Sequence, residues 1–443
     1  MRMLDDRTLG LHQTTHVGVT GIANGGKTVF LTSLMWQLAE AANDSFHIGK
    51  RVRIDGWHEF PVGRNRREDF AFQHYREALA RHREWPEKTA DCSRFGCEYS
   101  RSDWKMFRQR LVLFDFPGER VADAAIAALP SYHDWSEHML RHWNSDSEYR
   151  EAVGPFLDAA RQDEVDETAL LLEYRRTLAR LILSYKPLVS PSVFLLDQHG
   201  KTPQADSIDA LAAERCAGLP GAEFCPLPAA QRGRFPDFSA RYEQYRRDVV
   251  LPVFRELSRC SRLVVLIDIP SLLAGGVGRY NDHRQVLLDL VDTLRPDSSI
   301  GGKLMRLFRF RSVVLDRVAF VASKSDLVHP DDIENGRVES LLRQMTARAK
   351  GLLPNVQSGF FVCAACHSTR RGARPGTLIS KTCRDNPERR EMEFTVSQVP
   401  ETWPHEWTPG EYRYQHVWPQ APRNFQLAPN HLGLDRVFDY ISG

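Results

Sequence analysis

The chain has 443 residues, of which 42% are hydrophobic and 26% charged, values that are ordinary for a globular protein. Its 59 basic and 57 acidic residues leave a net charge of +2, whereas dedicated nucleic-acid binders carry a strong basic excess. The longest apolar run, residues 263–267, is far shorter than the roughly 20 residues that cross a bilayer, so we expect no membrane span. Acidic residues near the N terminus and eight scattered cysteines are typical of a reduced, cytoplasmic protein.

Short apolar runs that end in loops alternate with helix-periodic segments along the chain. In chain order, the runs predicted as strands are residues 16–20, 111–114, 263–267, 317–321 and 359–362. Because they are apolar throughout, they suit a mostly parallel sheet covered on both faces. Between and after them we predict helices at residues 29–42, 282–295, 337–350 and 432–442. In such α/β sheets ligands bind beyond the carboxyl ends of the strands.

A phosphate-binding motif follows the first strand directly and continues into the first helix. Its sequence is Gly21-Ile22-Ala23-Asn24-Gly25-Gly26-Lys27-Thr28, the P-loop pattern. Glycines let backbone N–H groups wrap around phosphate at the positive end of a helix. We expect Lys27 to reach the β- and γ-phosphates and to act in catalysis, and Thr28 to place its hydroxyl on Mg²⁺. The other predicted phosphate contacts are Asn24, Gly25, Gly26 and Val29.

The second strand ends in Asp-Phe-Pro-Gly, which has the D-x-x-G form. We expect Asp115 to hold Mg²⁺, usually through water, and Gly118 to direct its N–H to the γ-phosphate. Glu119 stands where Ras-like enzymes carry a glutamine that orients the attacking water. A carboxylate could accept a proton from that water but repels the γ-phosphate, so we expect slow hydrolysis. Arg120 either offsets this charge or is a plain surface residue.

The Ser-Lys-Ser-Asp sequence after the fourth strand resembles the N/T-K-x-D loop that selects guanine. The Asp326 carboxylate can accept hydrogen bonds from guanine N1–H and N2–H₂, and the stem of Lys324 can cover the base. Ser323 departs from the usual Asn or Thr, although its hydroxyl could tie the loop to the P-loop. After the last strand, a backbone N–H at Ala365–Cys366 is the candidate donor to guanine O6.

A switch threonine that contacts Mg²⁺ and the γ-phosphate should lie between Lys27 and Asp115. Thr89 is the candidate for this catalytic and metal-binding role. The alternative is that Thr89 is a loop residue of no special role.

The predicted fold class is α/β, a Ras-like P-loop NTPase core with a mostly parallel sheet, a large helical insertion and a small β-containing appendage. We assign an insertion that holds the candidate switch threonine to residues 46–104, a helical insertion to residues 131–257, and the appendage to residues 370–429. The GTP-binding core takes the remaining pieces, residues 10–45, 105–130, 258–369 and 430–443.

With these motifs assigned, the whole chain resembles the YcjX family of bacterial stress-associated P-loop proteins. The segments that carry the resemblance are residues 18–34, Trp-Pro-Glu-Lys-Thr at 85–89, Phe-Asp-Phe-Pro-Gly-Glu-Arg at 114–120, and residues 433–440. The resemblance implies a Ras-like GTP-binding core, induction under envelope stress and a membrane-protein partner, with peripheral localisation at the inner membrane.

Three functions stay open at this point. The first is a GTPase that hydrolyses GTP slowly with Mg²⁺ and acts as a nucleotide-dependent switch. The second is a nucleotide-binding scaffold with negligible hydrolysis, which Glu119 favours. The third is an adenine-specific ATPase, which Asp326 disfavours.

Overall fold

The structure is a computed structural model, and its described part comprises residues 14–21, 25–40, 46, 54–62, 69–87, 92–102, 104–144, 147–183, 207–215, 221–294, 315–383, 386 and 388–443. The strands are Thr14–Gly21 (β1), Ile54–Phe60 (β2), Ser93–Arg101 (β3), Trp104–Asp115 (β4), Arg262–Ile267 (β5), Arg317–Ala322 (β6), Gln357–Val362 (β7), Arg370–Arg371 (β8), Thr377–Ser380 (β9) and Met392–Thr395 (β10).

Helices lie between and after the strands. They are Lys27–Ala39 (α1), Phe72–Glu77 (α2), Ala124–Ala128 (α3), Tyr132–Asn144 (α4), Ser147–Arg161 (α5), Glu167–Leu183 (α6), Ile208–Arg215 (α7), Asp237–Tyr245 (α8), Leu251–Leu257 (α9), Ile269–Ala274 (α10), Gly276–Thr293 (α11), Pro330–Glu334 (α12), Arg337–Gly351 (α13) and Leu434–Ser442 (α14). Within the part of the chain that the structure describes, none of these helices combines the length and apolar character needed to span a bilayer.

Seven of the described strands form one sheet in the order β2-β3-β4-β1-β5-β6-β7, and three short ones form a separate sheet in the order β10-β9-β8. β4, β1, β5, β6 and β7 run parallel, and these are the five apolar runs of the sequence. The small sheet is antiparallel and lies between residues 370 and 395. The predicted α/β fold class, with a mostly parallel sheet and a β-containing appendage, is confirmed.

Two strands of the large sheet come from residues 46–104, a segment predicted as an insertion. β3 pairs antiparallel with β4, and β2 pairs antiparallel with β3 at the edge of the sheet. Phe95, Cys97 and Tyr99 of β3 are buried at every second position, as expected for a strand with a covered face. This segment therefore extends the sheet. The division of the chain into core, insertions and appendage stays a prediction.

The core consists of two apolar clusters, one on each face of the sheet. In β5, Val264 and Leu266 point into one cluster, and Leu263, Val265 and Ile267 point into the other. The first cluster includes side chains of α1 and α14, and the second includes side chains of α3–α11 and α13. Because both faces are covered, a ligand can reach the parallel strands only at the edge where they end.

The described residues between 131 and 257 are mainly helical, as predicted, and two His–Asp pairs join α4 of this segment to α11. His142 of α4 lies 3.0 Å from Asp282 of α11, measured from Nε2 to Oδ1. His138, one turn earlier, lies 3.3 Å from Asp289. These contacts join the helical segment to a helix that packs on the sheet.

Residues 403–410, which follow the small sheet, lie against the end of α10 and the beginning of α11. Trp407 donates its indole N–H to the backbone oxygen of Leu273 at 2.9 Å, and the N–H of Val277 donates to the Trp407 oxygen at 3.1 Å. The N–H of Gly410 donates to the oxygen of Ala274 at 2.9 Å. The appendage is thus bonded to the segment that immediately follows β5.

Candidate functional site

The predicted motifs meet at the carboxyl edge of the parallel strands. The register pairs Val19 with Asp115, so the end of β4 lies beside the end of β1. It also pairs Gly21 with Leu266 and Ile267 with Ala322, so β5 and β6 end at the same edge. The P-loop, the D-x-x-G motif and the Ser-Lys-Ser-Asp loop all begin where these strands end.

Two glycines of the P-loop are required by the backbone geometry. A Cβ on Gly21 would lie 2.6 Å from the backbone oxygen of Leu266, so only glycine lets β1 turn this close to β5. Gly26 has a φ of 85° and precedes Lys27, the first residue of α1. Gly26 therefore adopts the left-handed backbone conformation, which is strained for any residue that carries a Cβ atom. The chain enters the helix within one residue of this turn.

Lys27 folds back over the P-loop. Its Nζ donates to the backbone oxygen of Gly21 at 2.9 Å, and the residue is only 9% exposed. An ammonium group held against the loop lies at the N-terminal end of α1, where backbone N–H groups attract phosphate. A phosphate bound there would meet this cation.

The other predicted phosphate and metal residues occupy the start of α1 or fall outside the described part. Gly25 is buried just before the helix, while Thr28 and Val29 are its second and third residues and are partly buried. Asn24 and Thr89 lie outside the described residues. The phosphate contact of Asn24 and the metal-binding role of Thr89 therefore remain predictions.

Asp115 is the last residue of β4 and is 1% exposed. The N–H of Phe116 donates to the oxygen of Val19 at 2.9 Å, which keeps the D-x-x-G motif against β1. Gly118 is buried and begins a 3₁₀ turn over Gly118–Asp123. Glu119 belongs to this turn, but its side chain lies outside the described part.

Arg120 is not a plain surface residue. Its side chain is 16% exposed, and Nη1 donates to the hydroxyl of Tyr245 at 3.2 Å. The same guanidinium lies 3.8 Å from Asp123 Oδ2. Arg120 therefore joins the turn after D-x-x-G to the helical segment.

Lys324 connects the Ser-Lys-Ser-Asp loop with the P-loop and with β5. Its Cε lies 3.8 Å from the position that a Cβ on Gly26 would take, so the methylene stem covers the P-loop. Its Nζ lies 2.7 Å from Asp268 Oδ2, at the end of β5. Burial would raise the pKa of Asp268, but the Lys324 ammonium and hydrogen bonds from Ser271 hold it below its ordinary value. The carboxylate is therefore charged and fixes the lysine.

Asp326, the candidate guanine-binding residue, is 6% exposed. Oδ2 of its carboxylate accepts the N–H of Ser368 at 2.9 Å, and its backbone oxygen accepts the hydroxyl of Thr369. Burial raises the pKa of this carboxyl, and the Ser368 N–H opposes that shift. With Oδ2 held by the protein, Oδ1 is the oxygen that is left for a base.

The Ser323 hydroxyl, which could have tied this loop to the P-loop, makes no hydrogen bond to the described P-loop residues. Among the described residues this hydroxyl has no hydrogen-bond partner, and the N–H of Ser323 donates instead to the oxygen of Ile267 at 2.9 Å. The contact with the P-loop is made by Lys324, because its longer side chain reaches over Gly26.

The Ala365–Cys366 loop follows β7 and is held on both sides. The N–H of Ala364 donates to the oxygen of Leu432 at 3.0 Å, and the N–H of His367 donates to the oxygen of Asn430 at 2.7 Å. The N–H groups of Ala365 and Cys366 donate to no other residue in the described part of the chain. This geometry leaves donors for a carbonyl such as guanine O6.

Sequence reasoning did not assign roles to Asp268, Ser368 or Thr369. Asp268 had a signal, because it is an acidic residue at the end of an apolar strand, as Asp115 is. Ser368 and Thr369 gave only a weak sequence signal, since a Ser-Thr pair in a loop is common. Their contacts with Asp326 depend on how β6 and β7 lie side by side.

The residues at the predicted metal site fit Mg²⁺ chemically. Thr28 supplies a hydroxyl at the start of α1, and Asp115 supplies a buried carboxylate at the end of β4. Mg²⁺ prefers such oxygen ligands and usually keeps several waters. The donor set therefore suits a hydrated magnesium ion that also contacts phosphate.

The sheet topology and the arrangement of these motifs define a Ras-like P-loop α/β protein. A sequence model described as "YcjX-like family, DUF463" matches residues 15–443, and the chain belongs to this family. The resemblance inferred from the motifs is thereby confirmed.

Two curated relatives carry the name "Ras-like GTPase YcjX". The Escherichia coli K12 protein is 24% identical over 380 residues, which cover 76% of this chain and 74% of that protein. The Shewanella oneidensis MR-1 protein is 25% identical over 381 residues, which cover 76% and 73%. These relatives are similar to this chain across most of both lengths.

Proposed function

We propose that this protein binds GTP and GDP with Mg²⁺, hydrolyses GTP slowly and acts as a nucleotide-dependent switch. One observation carries the proposal, namely the contact between the P-loop and the guanine loop. Lys324 covers Gly26 while Asp326, two residues later, is held with one carboxylate oxygen bonded to Ser368. This contact supports a phosphate site and a base site within reach of one nucleotide. The name of the two relatives supports the guanine assignment.

Each protein group has a separate part in the proposed reaction. Lys27 and the N–H groups at the start of α1 neutralise charge on the β- and γ-phosphates. Thr28 and Asp115 would hold Mg²⁺, which would withdraw negative charge from the phosphates. Asp326 recognises the base. Glu119 would lie next to the attacking water, and Thr89 would complete the metal site.

Slow hydrolysis follows from the charge of Glu119. A carboxylate next to the γ-phosphate adds like-charge repulsion with the negative charge that is spread over the oxygens of the transferred group. A glutamine would orient water without this repulsion. Glu119 is also the observation that favours the second candidate, a nucleotide-binding scaffold with negligible hydrolysis.

The switch role is supported by the bonds between the turn after D-x-x-G and the helical segment. The hydroxyl of Tyr245 donates to Asp123 at 3.0 Å, and Arg120 donates to the same hydroxyl at 3.2 Å. Arg246 donates to the oxygen of Ile126 at 3.0 Å. Any shift of this turn on loss of the γ-phosphate would pull on the helical segment, which is how a switch reports its state.

Titration of fluorescently labelled GDP, GTP and ATP, with and without Mg²⁺, tests the proposal. We expect guanine nucleotides to bind at least tenfold more tightly than ATP, a difference of about 1.4 kcal/mol. Asp326→Ala should remove this preference. Asp209→Ala, at a carboxylate that is 75% exposed on the helical segment, is the matched control. Equal affinity for ATP and GTP in the wild type, unaffected by Asp326→Ala, would contradict the guanine assignment.

The proposal also includes a cytoplasmic location, to which the family resemblance adds a stress-response role, a membrane-protein partner and peripheral association with the inner membrane. Fractionation of cells grown with and without envelope stress tests these parts. Equal amounts in both cultures and no protein in the membrane fraction would count against them.

A further inference from the structure

Residue 326 is held at its side chain and at its backbone by two consecutive residues after β7. The N–H of Ser368 donates to Oδ2 of the Asp326 carboxylate at 2.9 Å, and Thr369 donates its hydroxyl to the Asp326 backbone oxygen. Ser368 is 2% exposed. The orientation of the carboxylate therefore depends on where the Ser368 peptide lies.

The Ser368 peptide is in turn held by two residues of the appendage. The hydroxyl of Ser380, in β9, donates to the Ser368 oxygen. The backbone N–H of Gln420 donates to the Ser368 hydroxyl at 3.2 Å, and its side-chain amide donates to the Ser380 hydroxyl at 3.3 Å. Ser368 completes the set by donating its hydroxyl to the Cys366 oxygen at 3.0 Å.

The hydroxyls of Ser368 and Ser380 each donate one hydrogen bond and accept another. Ser380 is fully buried, so a lost partner there cannot be replaced readily by water. Hydrogen bonds connected in series also strengthen one another in a buried environment. The network thus sets the position of the Ser368 peptide more firmly than one isolated bond would.

We infer that the appendage, residues 370–429, determines base specificity by positioning Asp326 through Ser380, Gln420 and Ser368. This inference rests on the proposed binding of guanine nucleotides at Asp326. The three residues act through another group and are positioning residues. The ligand class that they select is a purine with a hydrogen-bond donor at C2.

Inosine diphosphate isolates the interaction in question, because it lacks only the 2-amino group of guanine. Hydrogen bonds weaken steeply as their angle departs from linearity, so a rotated carboxylate loses strength towards this group. The phosphate contacts of the P-loop are unaffected by such a rotation. A disturbed network should therefore lower the affinity for GDP more than the affinity for IDP.

The experiment measures Kd for GDP and IDP by calorimetry on the full chain with Mg²⁺. Ser380→Ala and Gln420→Ala should lower the preference for GDP over IDP roughly 3- to 10-fold, the equivalent of one ordinary hydrogen bond. Ser397→Ala is the matched control, since it removes a hydroxyl that accepts the Arg413 N–H at 2.8 Å elsewhere in the appendage. Its preference should equal that of the wild type.

The outcomes are distinguishable. If the wild type prefers GDP and both network variants keep that preference, the inference is overturned while guanine binding stands. If the wild type binds GDP and IDP equally, Asp326 does not recognise the 2-amino group and the inference fails, whereas the titration against ATP tests the guanine assignment separately. A fall in GDP and IDP affinity by the same factor indicates a structural role only and also overturns the inference. Should Ser380→Ala fail to fold, Gln420→Ala at a half-buried position decides the result.

Discussion

Replacing Asp326 by asparagine changes which purine the site should accept. In the structure Oδ2 of Asp326 accepts the N–H of Ser368, so the amide oxygen of an asparagine will take that position. Its NH₂ group then occupies the place of Oδ1, the oxygen that is left for a base. The 2-amino group of guanine, a donor, would then face the NH₂ group of the asparagine, also a donor, and no hydrogen bond could form between them. Xanthine has a carbonyl oxygen at C2, which accepts from the asparagine.

The size of the effect follows from the bonds that are exchanged. A hydrogen bond to a charged group contributes about 1.5–3 kcal/mol, which at about 1.4 kcal/mol per tenfold is roughly a 10- to 150-fold loss of GDP affinity. The facing donors add to this loss. For XDP one neutral hydrogen bond forms, and we expect its affinity to rise roughly 3- to 10-fold.

Competition against labelled GDP measures both changes, with Asp209→Ala as the control variant at an exposed carboxylate. Asp326→Asn should lower GDP affinity, raise XDP affinity and leave ADP affinity unchanged, because the phosphate contacts do not involve this residue. An unchanged GDP affinity, or an equal loss for GDP, XDP and ADP, would refute the reasoning.

The same variant carries a stability prediction with a definite sign. Burial raises the pKa of Asp326 in the folded protein, opposed in part by the Ser368 N–H. The folded state therefore holds the proton more tightly than the unfolded state. The stability from this group is present at low pH and is lost as the pH rises through the raised folded pKa. At pH 7 Asp326→Asn, which carries no charge at any pH, should raise the melting temperature of the nucleotide-free protein. A clear fall would contradict this.

Three further predictions concern the phosphate site, hydrolysis and the link to the helical segment. Lys27→Ala should abolish GTP binding, whereas Lys350→Ala should not; retained micromolar affinity in the first variant would count against the P-loop assignment. Glu119→Gln should raise single-turnover GTP hydrolysis on the order of tenfold, about 1.4 kcal/mol, by removing charge repulsion, and an unchanged rate would favour the scaffold hypothesis. Tyr245→Phe should lower the free energy of unfolding in urea by about 1–3 kcal/mol, because buried Asp123 loses a donor; no change would argue against the importance of this contact.

The parallel strands could be predicted because each one is a continuous run of apolar residues. Strands covered on both faces are apolar throughout, and the runs at residues 263–267 and 317–321 are β5 and β6 almost to the residue. β2 could not be recognised in the same way, since Ile54–Phe60 contains Asp55 and Gly56, which have low strand propensity. Its pairing with β3 stabilises it, and pairing is a tertiary property.

In the candidate site, too, some features could be identified from the sequence and others only from the tertiary structure. The P-loop and D-x-x-G motifs could be identified from the sequence, because each is a short stretch whose residue types are required by turn geometry and phosphate chemistry. Lys324 and Asp326 could also be identified, because they belong to one short loop motif. Their contacts with Asp268 and Ser368 could not be predicted, because Asp268 lies far before Lys324 in the chain and Ser368 lies well after Asp326.

What the sequence by itself determined is the set of chemical groups and the strand end on which each one is carried. Only the tertiary structure decided which of these groups meet, because contacts such as Lys324 with Gly26 depend on the lateral order of β1, β5 and β6. The same holds for the appendage. Its residues carry no recognisable motif, and their contact with Ser368 exists because the end of β9 and the later residue Gln420 both lie beside the loop that follows β7.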